Sequence, residues 1–392
     1  MYDVVIVGAG LSGAVMAERF ANQLNKTVLV LEKRTHIAGN CFDYVDAATG
    51  ILVHQYGPHL FHTDNASVFQ YLSRFTEWVD YRHKVVANLT LVGQEVLVPL
   101  PFNFSSIRAC FPNEHAELLI RKLRTRYGEG ARVSILALRQ EQDEELIKLA
   151  DFVYQQVFIN YTTKQWGKTP EQIDSAVTAR VPIVCSEENG YFSDPYQCVP
   201  RNGYTAMVGN MLASPLIDVQ LDTDFRERLN IDLMAKSIEL DGQPFNGEVI
   251  YSANLDLLQL DHEALPYRSL RFEFETLVLK TFQQETTVNY PQHPSMTRIT
   301  EFKHIPNSRQ NADQTVIVKE FPVDYDPNDP VASVPYYPVF DEYSQTIFKQ
   351  LKAQAEQVPN LTLVGRLAQY QYFDMDDAVA NALTLFEKWK SL

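Results

Sequence analysis

The chain has 392 residues, an apolar fraction of 45% and four cysteines without CxxC spacing. This length allows two or three domains, and the cysteine pattern supports neither a disulfide framework nor a zinc site. The net charge of −15, without a basic run, argues against nucleic acid or a membrane as partners. Because a strand begins at the N-terminus and leaves no room for a signal peptide, we expect a cytoplasmic protein.

The N-terminal segment DVVIVGAGLSGAVMAERF reads as an apolar strand, a glycine-rich turn and the start of a helix. Gly8, Gly10 and Gly13 have GxGxxG spacing, which permits the turn, admits a pyrophosphate and lets helix and strand pack closely. The next strand, KTVLVLEKR, contains Glu32, which is placed to bind both hydroxyls of a ribose. This order predicts a dinucleotide-binding unit rather than a structural glycine turn.

A second strand–glycine–helix pattern lies near the C-terminus, in LTLVGRLAQYQYFDMDDAVANALTLFEKW. We expect the strand to end at Gly365 and Asp374 to Asp376 to open the final helix. Two separated segments that close on one ligand suit FAD better than NAD, although an ordinary strand–helix pair without a ligand also fits.

The middle of the chain predicts a hairpin, then helices, then further strands. The hairpin KVVANLTLVGQEVLVPLPFN turns at Val92 to Gln94, and helical spacing runs from His115 to about Phe158. GEVIYSANLDL predicts another strand of the nucleotide-binding sheet, whereas YRSLRFEFETLVLKTF and QTVIVKEFP predict antiparallel strands. The expected fold is α/β, with a discontinuous Rossmann-like FAD-binding domain, an inserted helical domain and an antiparallel β-sheet domain. The expected boundaries are 1–78, 200–258 and 355–392 for the FAD-binding domain, 105–178 for the helical domain with a mobile substrate loop, and 79–104, 179–199 and 259–354 for the sheet and substrate domain.

Four further motifs occur in order along the chain: YGPHLFHT, NYTTKQWGKTPEQI, PYYPV and GRLAQYQYFDMD. Together they resemble the UDP-galactopyranose mutase family over effectively the whole chain. The resemblance implies an isomerase that interconverts UDP-galactopyranose and UDP-galactofuranose on reduced FAD, through an adduct between flavin N5 and the sugar. It also implies supply of galactofuranose for cell-surface glycans, a cellular flavin reductant and a homodimer.

The resemblance also assigns substrate contacts. Arg180 and Arg298 resemble a clamp for the pyrophosphate, whose oxygens suit guanidinium forks. Trp166 would lie beside the sugar on a mobile loop. The implied catalytic residues are Arg180, Arg298, His59 and Tyr337. The implied substrate-binding residues are His83, Tyr161, Thr162, Trp166, Arg180, Tyr191, Arg268, Arg298, Glu320, Tyr337 and Tyr372.

The expected cofactor site combines the glycine motif with family-like positions. His59 would contact the flavin, and Asp374 equally fits a helix N-cap. The cofactor-binding residues are expected to be Gly8, Gly10, Leu11, Ser12, Gly13, Glu32, Lys33, Gly39, Asn40, His59, Leu60, Val219, Arg366, Tyr372, Asp374 and Met375.

His59 and His62 lie three residues apart and raise the alternative of a metal site. The neighbourhood offers only Asp64 as a further ligand, so we expect no metal. His62 is expected to be structural, with its ring satisfied by nearby backbone.

The chain departs from the family pattern at three places. Glycine is more usual at Ala368, arginine or lysine at Gln371, and a different segment at Ser252 to Asp256. Two alternative functions stay open. One is an oxidoreductase similar to the flavin amine oxidases, which would not need the arginines; the other is a non-enzymatic relative similar to the GDP-dissociation inhibitors.

Overall fold

The computed structural model describes residues 2–167, 182–258, 264–308, 313–329 and 334–390. The strands, in chain order, are β1 Val4–Val7, β2 Val28–Leu31, β3 Asp43–Val45, β4 Leu52–His54, β5 Phe61–Thr63, β6 Trp78–Asp80, β7 Val85–Leu91, β8 Gln94–Leu100, β9 Arg132–Ser134, β10 Pro182–Val184, β11 Tyr196–Pro200, β12 Ile217–Gln220, β13 Leu229–Asp232, β14 Ser237–Leu240, β15 Gln243–Pro244, β16 Glu248–Tyr251, β17 Tyr267–Leu277, β18 Thr287–Asn289, β19 Arg298–Glu301, β20 Thr315–Asp324, β21 Tyr337–Pro338 and β22 Leu361–Leu363. The α-helices are α1 Leu11–Leu24, α2 Ala66–Leu72, α3 Phe104–Cys110, α4 Asn113–Tyr127, α5 Ile135–Leu138, α6 Glu144–Val153, α7 Ile159–Trp166, α8 Tyr204–Met211, α9 Glu342–Ala355, α10 Gly365–Ala368 and α11 Met375–Lys390.

The predicted nucleotide-binding unit is built on a five-stranded parallel sheet in the order β12–β2–β1–β16–β22. Strands β1 and β2 are fully buried, as their unbroken apolar sequences VVIV and VLVL require. Helix α1 covers this sheet and packs against α11 through Phe20 and Phe386. The Rossmann-like prediction is therefore confirmed. The predicted end of the last strand at Gly365 is wrong, because β22 ends at Leu363 and Gly365 begins α10.

The predicted antiparallel strands lie in a second sheet of seven strands, in the order β21–β17–β20–β19–β18–β7–β8. Its β7–β8 pair is the predicted hairpin, although Gln94 already belongs to the second strand. Val92 and Gly93 both have positive φ, 50° and 79°, which matches the twist of a two-residue hairpin turn. The sheet places Arg298 of β19 directly opposite Glu320 of β20.

The helical region extends further than its periodicity predicts. Helix α6 continues through a π-helical turn, Tyr154–Phe158, directly into α7, which ends at Trp166 rather than near Phe158. A π-turn inserts one residue into the helical repeat, so the apolar stripe changes phase there. The change of phase explains why the sequence pattern seemed to stop.

Helix α8 begins at a cap supplied by a distant carboxylate. Asp43 accepts hydrogen bonds from the backbone amides of Tyr204, at 2.6 Å, and Thr205, at 2.9 Å. Gly203 precedes the helix with φ of 86°, and a Cβ at this position would lie 2.5 Å from Oδ2 of Asp43. The contact fixes β3 against α8, so it joins the N-terminal segment to the residues after β11.

We expect Gly203→Ala to reduce the free energy of unfolding by about 2–3 kcal/mol, from backbone strain and crowding of Asp43 together. Gly128→Ala is the matched control, since Gly128 has φ of 87° but no atom within 4 Å of the added Cβ. Its loss should be confined to the backbone strain and should therefore be smaller than that of Gly203→Ala by about 1 kcal/mol. Urea denaturation of both variants measures the difference, and equal losses would contradict the proposed crowding.

Candidate active site

A cavity opens at the carboxyl ends of β1 and β2, where open α/β sheets bind ligands. It brings together segments from both ends of the chain. Most of the predicted cofactor residues line it: Gly8, Gly10, Leu11, Ser12, Gly13, Glu32, Lys33, Gly39, Asn40, His59, Arg366, Asp374 and Met375.

The glycine motif is required by close contacts around this cavity. A Cβ on Gly13 would lie 2.0 Å from the carbonyl oxygen of Gly8, so only glycine lets helix α1 start here. Around Gly10, by contrast, the nearest atom to an added Cβ would be Cα of Gly39, at 3.8 Å. Gly10 is also the N-cap of α1 and has no side-chain cap, so the helix amides face the cavity mouth as an anion-binding group.

Glu32 is buried and held in place by backbone amides. Its two carboxylate oxygens accept from Ala9, at 2.8 Å, and from Arg34, at 2.9 Å. Arg34 also lines the cavity, donates to the Asn40 side chain at 2.9 Å and packs over the Tyr56 ring. Arg34 was not among the predicted residues, although a cation two residues after the ribose-binding acid was a usable signal.

These features fit a dinucleotide with a pyrophosphate. Nη1 of Arg34 is buried and has no hydrogen-bond partner within the described ranges, so it offers a donor to a bound anion. The glycine cradle provides a close backbone approach, and Glu32 provides a ribose acceptor. No group of three or more potential metal ligands occurs among the residues that the structure describes.

The three departures from the family pattern lie in different surroundings. Ser252 donates to the Val7 carbonyl at 2.6 Å and lines the cavity with Asn254. Ala368 is buried in an apolar cluster, whereas Gln371 is exposed. The Ser252 segment is thus the departure that borders the cavity.

His59 lies on a loop between the cavity and the seven-stranded sheet. Its Nδ1 is 2.9 Å from the Gly57 carbonyl, so it donates there and leaves Nε2 as an acceptor in the neutral ring. Burial, followed by the neighbouring His54, lowers the pKa of His59 to about 3. The ring is therefore neutral at neutral pH.

A second buried histidine, which the sequence did not single out, fixes this loop. Nδ1 of His54 accepts from the His59 backbone amide at 3.0 Å, so the neutral ring carries its proton on Nε2. That Nε2 has no partner in the described part of the chain, and burial lowers the pKa of His54 to about 4.

The prediction for His62 is half right. The residue is structural, as expected, but its partner is not backbone. Nδ1 of His62 lies 3.1 Å from Oδ2 of Asp194, and the ring stacks on Phe192 with centroids 3.6 Å apart. Both partners lie more than a hundred positions away in the sequence, beyond the reach of local pattern analysis.

The centre of the candidate substrate site is Arg298. Its Nε lies 2.8 Å from Oε2 of Glu320, with side-chain exposures of 28% and 1%, so part of the guanidinium faces outward. The N–H of this Nε does not point along the line between the two atoms, and the contact is an ion pair rather than a directed hydrogen bond. Burial opposes the charge of Arg298, but Glu320, Tyr161 and Tyr337 outweigh it and raise its pKa.

Three predicted tyrosines lie within reach of the Arg298 charge. Burial raises the pKa of Tyr161 and Tyr337, and the positive charge of Arg298 opposes the shift in both. The pKa of Tyr191 is raised as well, and Arg298 opposes that shift, although this residue is 40% exposed. These phenols are therefore protonated at neutral pH and can donate hydrogen bonds. Tyr337 also stacks on Tyr372 with centroids 5.8 Å apart.

Two more predicted residues connect this cluster with its surroundings. Arg366, which lines the cavity, lies over the rings of both Tyr337 and Tyr372. His83 is buried, and its pKa is lowered to about 3 by burial and then by Arg298. The substrate and cofactor predictions thus converge on adjoining regions.

The remaining predicted residues lie elsewhere. Arg268 donates to the carbonyls of Lys164 and Gln165 at the end of α7 and pairs with Asp324, so it caps a helix. Leu60 and Val219 pack in apolar clusters and do not line the cavity, and Thr162 is buried in α7. Arg180 lies outside the described residues, as does the side chain of Trp166.

The buried histidines predict a pH dependence of stability. Because the pKa of His54 is about 4 in the folded state and about 6.5 when unfolded, its contribution is present above pH 6.5 and is lost as the pH falls toward 4. Between these values, His54→Gln should flatten the slope of unfolding free energy against pH by up to about 1.4 kcal/mol per unit. Urea denaturation across this window measures the slope.

His304→Gln is a control, because the contribution of His304 to stability depends on pH with the opposite sign. The hydrogen bond to Glu301 raises the pKa of His304, so its stabilisation is present below pH 6.5 and is lost as the pH rises through the folded-state value. The His304 variant should change the slope above pH 6.5 and, because His304 also lowers the pKa of Glu301 from 4.5, again below pH 4.5, but not in the window between them. A wild-type slope in the His54 variant would contradict a neutral, desolvated ring.

Comparison with known proteins agrees with this geometry. A family model described as UDP-galactopyranose mutase matches residues 156–372, and a model of an NAD(P)-binding Rossmann-like domain matches residues 6–75. UDP-galactopyranose mutase of Mycoplasma pneumoniae is 35% identical over 99% of this chain and 96% of its own. dTDP-fucopyranose mutase of Escherichia coli is 31% identical over 98% of this chain and 97% of its own.

A crystal structure of reduced UDP-galactopyranose mutase has the same fold, with a TM-score of 0.72 at 13% identity, over 100% of this chain and 94% of its own. The fold, the match of the family model and the near-complete coverage of the relatives agree with one another. The chain belongs to the UDP-galactopyranose mutase family.

Proposed function

We propose that the protein is an isomerase that interconverts UDP-galactopyranose and UDP-galactofuranose, with bound FAD in its reduced form. The observation that carries this proposal is the half-buried Arg298, surrounded by protonated tyrosines and adjoining a cavity suited to a dinucleotide. An acidic chain can hold a doubly charged pyrophosphate only through such locally placed cations.

We assign one contact with the substrate to each group of side chains. Arg298 neutralises the charge of the pyrophosphate, and the phenols of Tyr191, Tyr337 and Tyr372 donate hydrogen bonds to the pyrophosphate oxygens. Oε1 of Glu320 is buried without a partner among the described residues, so it is available to accept from a sugar hydroxyl. Arg180 and Trp166 are proposed to complete the site from the phosphate and sugar sides.

The chemistry of sugar-ring contraction needs a nucleophile at the anomeric carbon. A reduced flavin supplies that electron pair when bound, while the protein orients the sugar and stabilises the departing UDP. The neutral His59, with Nε2 as an acceptor toward the cavity, is suited to bond a protonated ring nitrogen of the cofactor. His59 therefore favours the reduced over the oxidised state in this proposal.

The cellular context follows from the same assignment. We propose a cytoplasmic homodimer, served by a cellular flavin reductant and supplying galactofuranose for cell-surface glycans. No helix within the described residues has the length and apolar character needed to cross a bilayer. We also propose the three-domain division, with the last FAD-binding segment starting near residue 342. This start is favoured because α9 shares an apolar cluster with the parallel sheet.

The decisive experiment measures turnover of UDP-galactofuranose by the FAD-loaded protein with and without dithionite. Chromatography follows the conversion of substrate to product. We expect conversion to UDP-galactopyranose only under reduction, and its loss after reoxidation. Equal turnover by the oxidised protein would contradict the reduced-flavin proposal. Substrate-dependent oxygen consumption with an amine would instead support the oxidoreductase alternative, and a colourless protein that cannot be reconstituted with FAD would support the non-enzymatic one.

A second experiment tests Arg298. We expect Arg298→Ala to lower kcat/KM by an amount equivalent to about 2–5 kcal/mol of transition-state stabilisation. The change removes the cation that pairs with the buried carboxylate of Glu320. Arg298→Lys should recover only part, because an ammonium cannot form the bidentate fork. Arg271→Ala, on the same sheet but with an exposed side chain paired to Glu273, is the control. Wild-type kinetics in both Arg298 variants would place the phosphate contact elsewhere.

A further inference from the structure

The ammonium group of Lys164 lies inside a cage of four backbone carbonyl oxygens. It donates to Tyr290 at 2.8 Å, Pro291 at 3.0 Å, His293 at 2.7 Å and Met296 at 2.9 Å. Three N–H groups serve four acceptors, so at least one bond is shared. No carboxylate takes part in this cage, which makes the contact specific for the shape of the loop rather than for an opposite charge.

The loop that forms the cage leads directly into the substrate site. Residues 290–297 connect β18 to β19, and the backbone amide of Tyr290 bonds the Thr297 carbonyl at 2.8 Å to close the loop. The next residue is Arg298. The ring of His293 shapes the loop from inside, since its Nδ1 accepts from the amides of Ser295 and Met296.

Lys164 belongs to the other half of the same site. It lies in α7, one turn after Tyr161, and residues three apart in a helix share a face. Tyr161 lies within reach of the charges of Arg298 and Glu320. The lysine is thus the connection between the helix that carries Tyr161 and the hairpin that carries Arg298.

The end of α7 has a second attachment. Arg268 of β17 donates to the carbonyls of Gln165, at 3.1 Å, and Lys164, at 3.2 Å. These bonds hold the helix backbone to the seven-stranded sheet, but they do not reach the 290–297 loop. Besides Lys164, an exposed contact joins the loop to this continuous helix: Gln292 donates to Gln156 of the π-helical turn at 2.8 Å. Lys164 is therefore the loop's attachment to α7 itself.

We propose that Lys164 is a positioning residue that fixes the distance between Tyr161 and Arg298 by holding the 290–297 loop against α7. This inference rests on the proposed function, since it concerns the substrate-binding half of that site. Removing the ammonium takes one donor from each of four carbonyls, of which the Tyr290 carbonyl keeps the His293 amide at 3.2 Å. The loop must re-solvate the others, and we expect it to shift. A shift of about 1 Å at a binding group can cost up to about 100-fold in kcat/KM.

The test uses the full FAD-loaded protein and measures the dissociation constant for UDP by calorimetry, with the KM for UDP-galactofuranose alongside. Lys164→Met should weaken UDP binding and raise KM by about 10-fold or more, with FAD content unchanged because the cavity lies apart from this loop. Lys148→Met is the matched control, as Lys148 is 65% exposed on the neighbouring helix α6. It should bind UDP as the wild type does.

His293→Ala tests the same contact from the loop side and serves if Lys164→Met fails to fold. Because both changes act on one cage, the double variant should bind UDP no more weakly than the more affected single variant. If folded Lys164→Met binds UDP as the wild type does, the positioning role is overturned, even if thermal stability falls. If that variant does not fold, wild-type UDP binding by His293→Ala overturns the role instead. A wild-type protein that does not bind UDP would instead overturn the proposed function itself.

Discussion

The candidate site depends on one cross-strand pair, Arg298 opposite Glu320. The register of β19 and β20 places the two side chains together, and burial of Glu320 makes the pair hard to break. A carboxylate buried without its cation would leave an uncompensated charge, so the sheet and the arginine stabilise each other's placement. The outward part of the guanidinium carries donors for a ligand. In a chain of net charge −15, the outward part of this guanidinium is a local positive group, although the pair as a whole is neutral.

The loop from His54 to His59 joins the two halves of the site. His54 holds the His59 backbone, while a Cβ on Gly57 would lie 3.3 Å from Oε1 of Glu320. The same short segment therefore borders the cavity on one side and the buried ion pair on the other. The segment is thus a short physical connection between the cavity and the ion pair.

Local patterns were enough to predict the glycine motif, Glu32 and most strands of both sheets, since each depends on periodicity or on spacing within one turn. The short strands β12, β18, β19 and β21 were not predicted. The predictions that failed needed information from elsewhere in the chain. The partner of His62 lies on a distant segment, and the cage around Lys164 is made of backbone carbonyls, which no side-chain pattern reveals. Among the arginines that the whole-chain resemblance implied, Arg298 lies beside Glu320 through strand register, whereas Arg268 caps α7 instead.

The π-helical turn before α7 has a consequence for how this family can vary. A residue inserted into a helix rotates everything that follows by about 100° about the axis. Tyr161 and Lys164 owe their common inward orientation to that rotation, which α6 alone would not give them. Point substitutions in Tyr154–Phe158 leave the rotation intact, whereas deletion of one residue would turn the substrate face of α7 toward its neighbours or the solvent. Length is thus constrained in this turn in addition to the apolar character of the buried Tyr154, Val157 and Phe158.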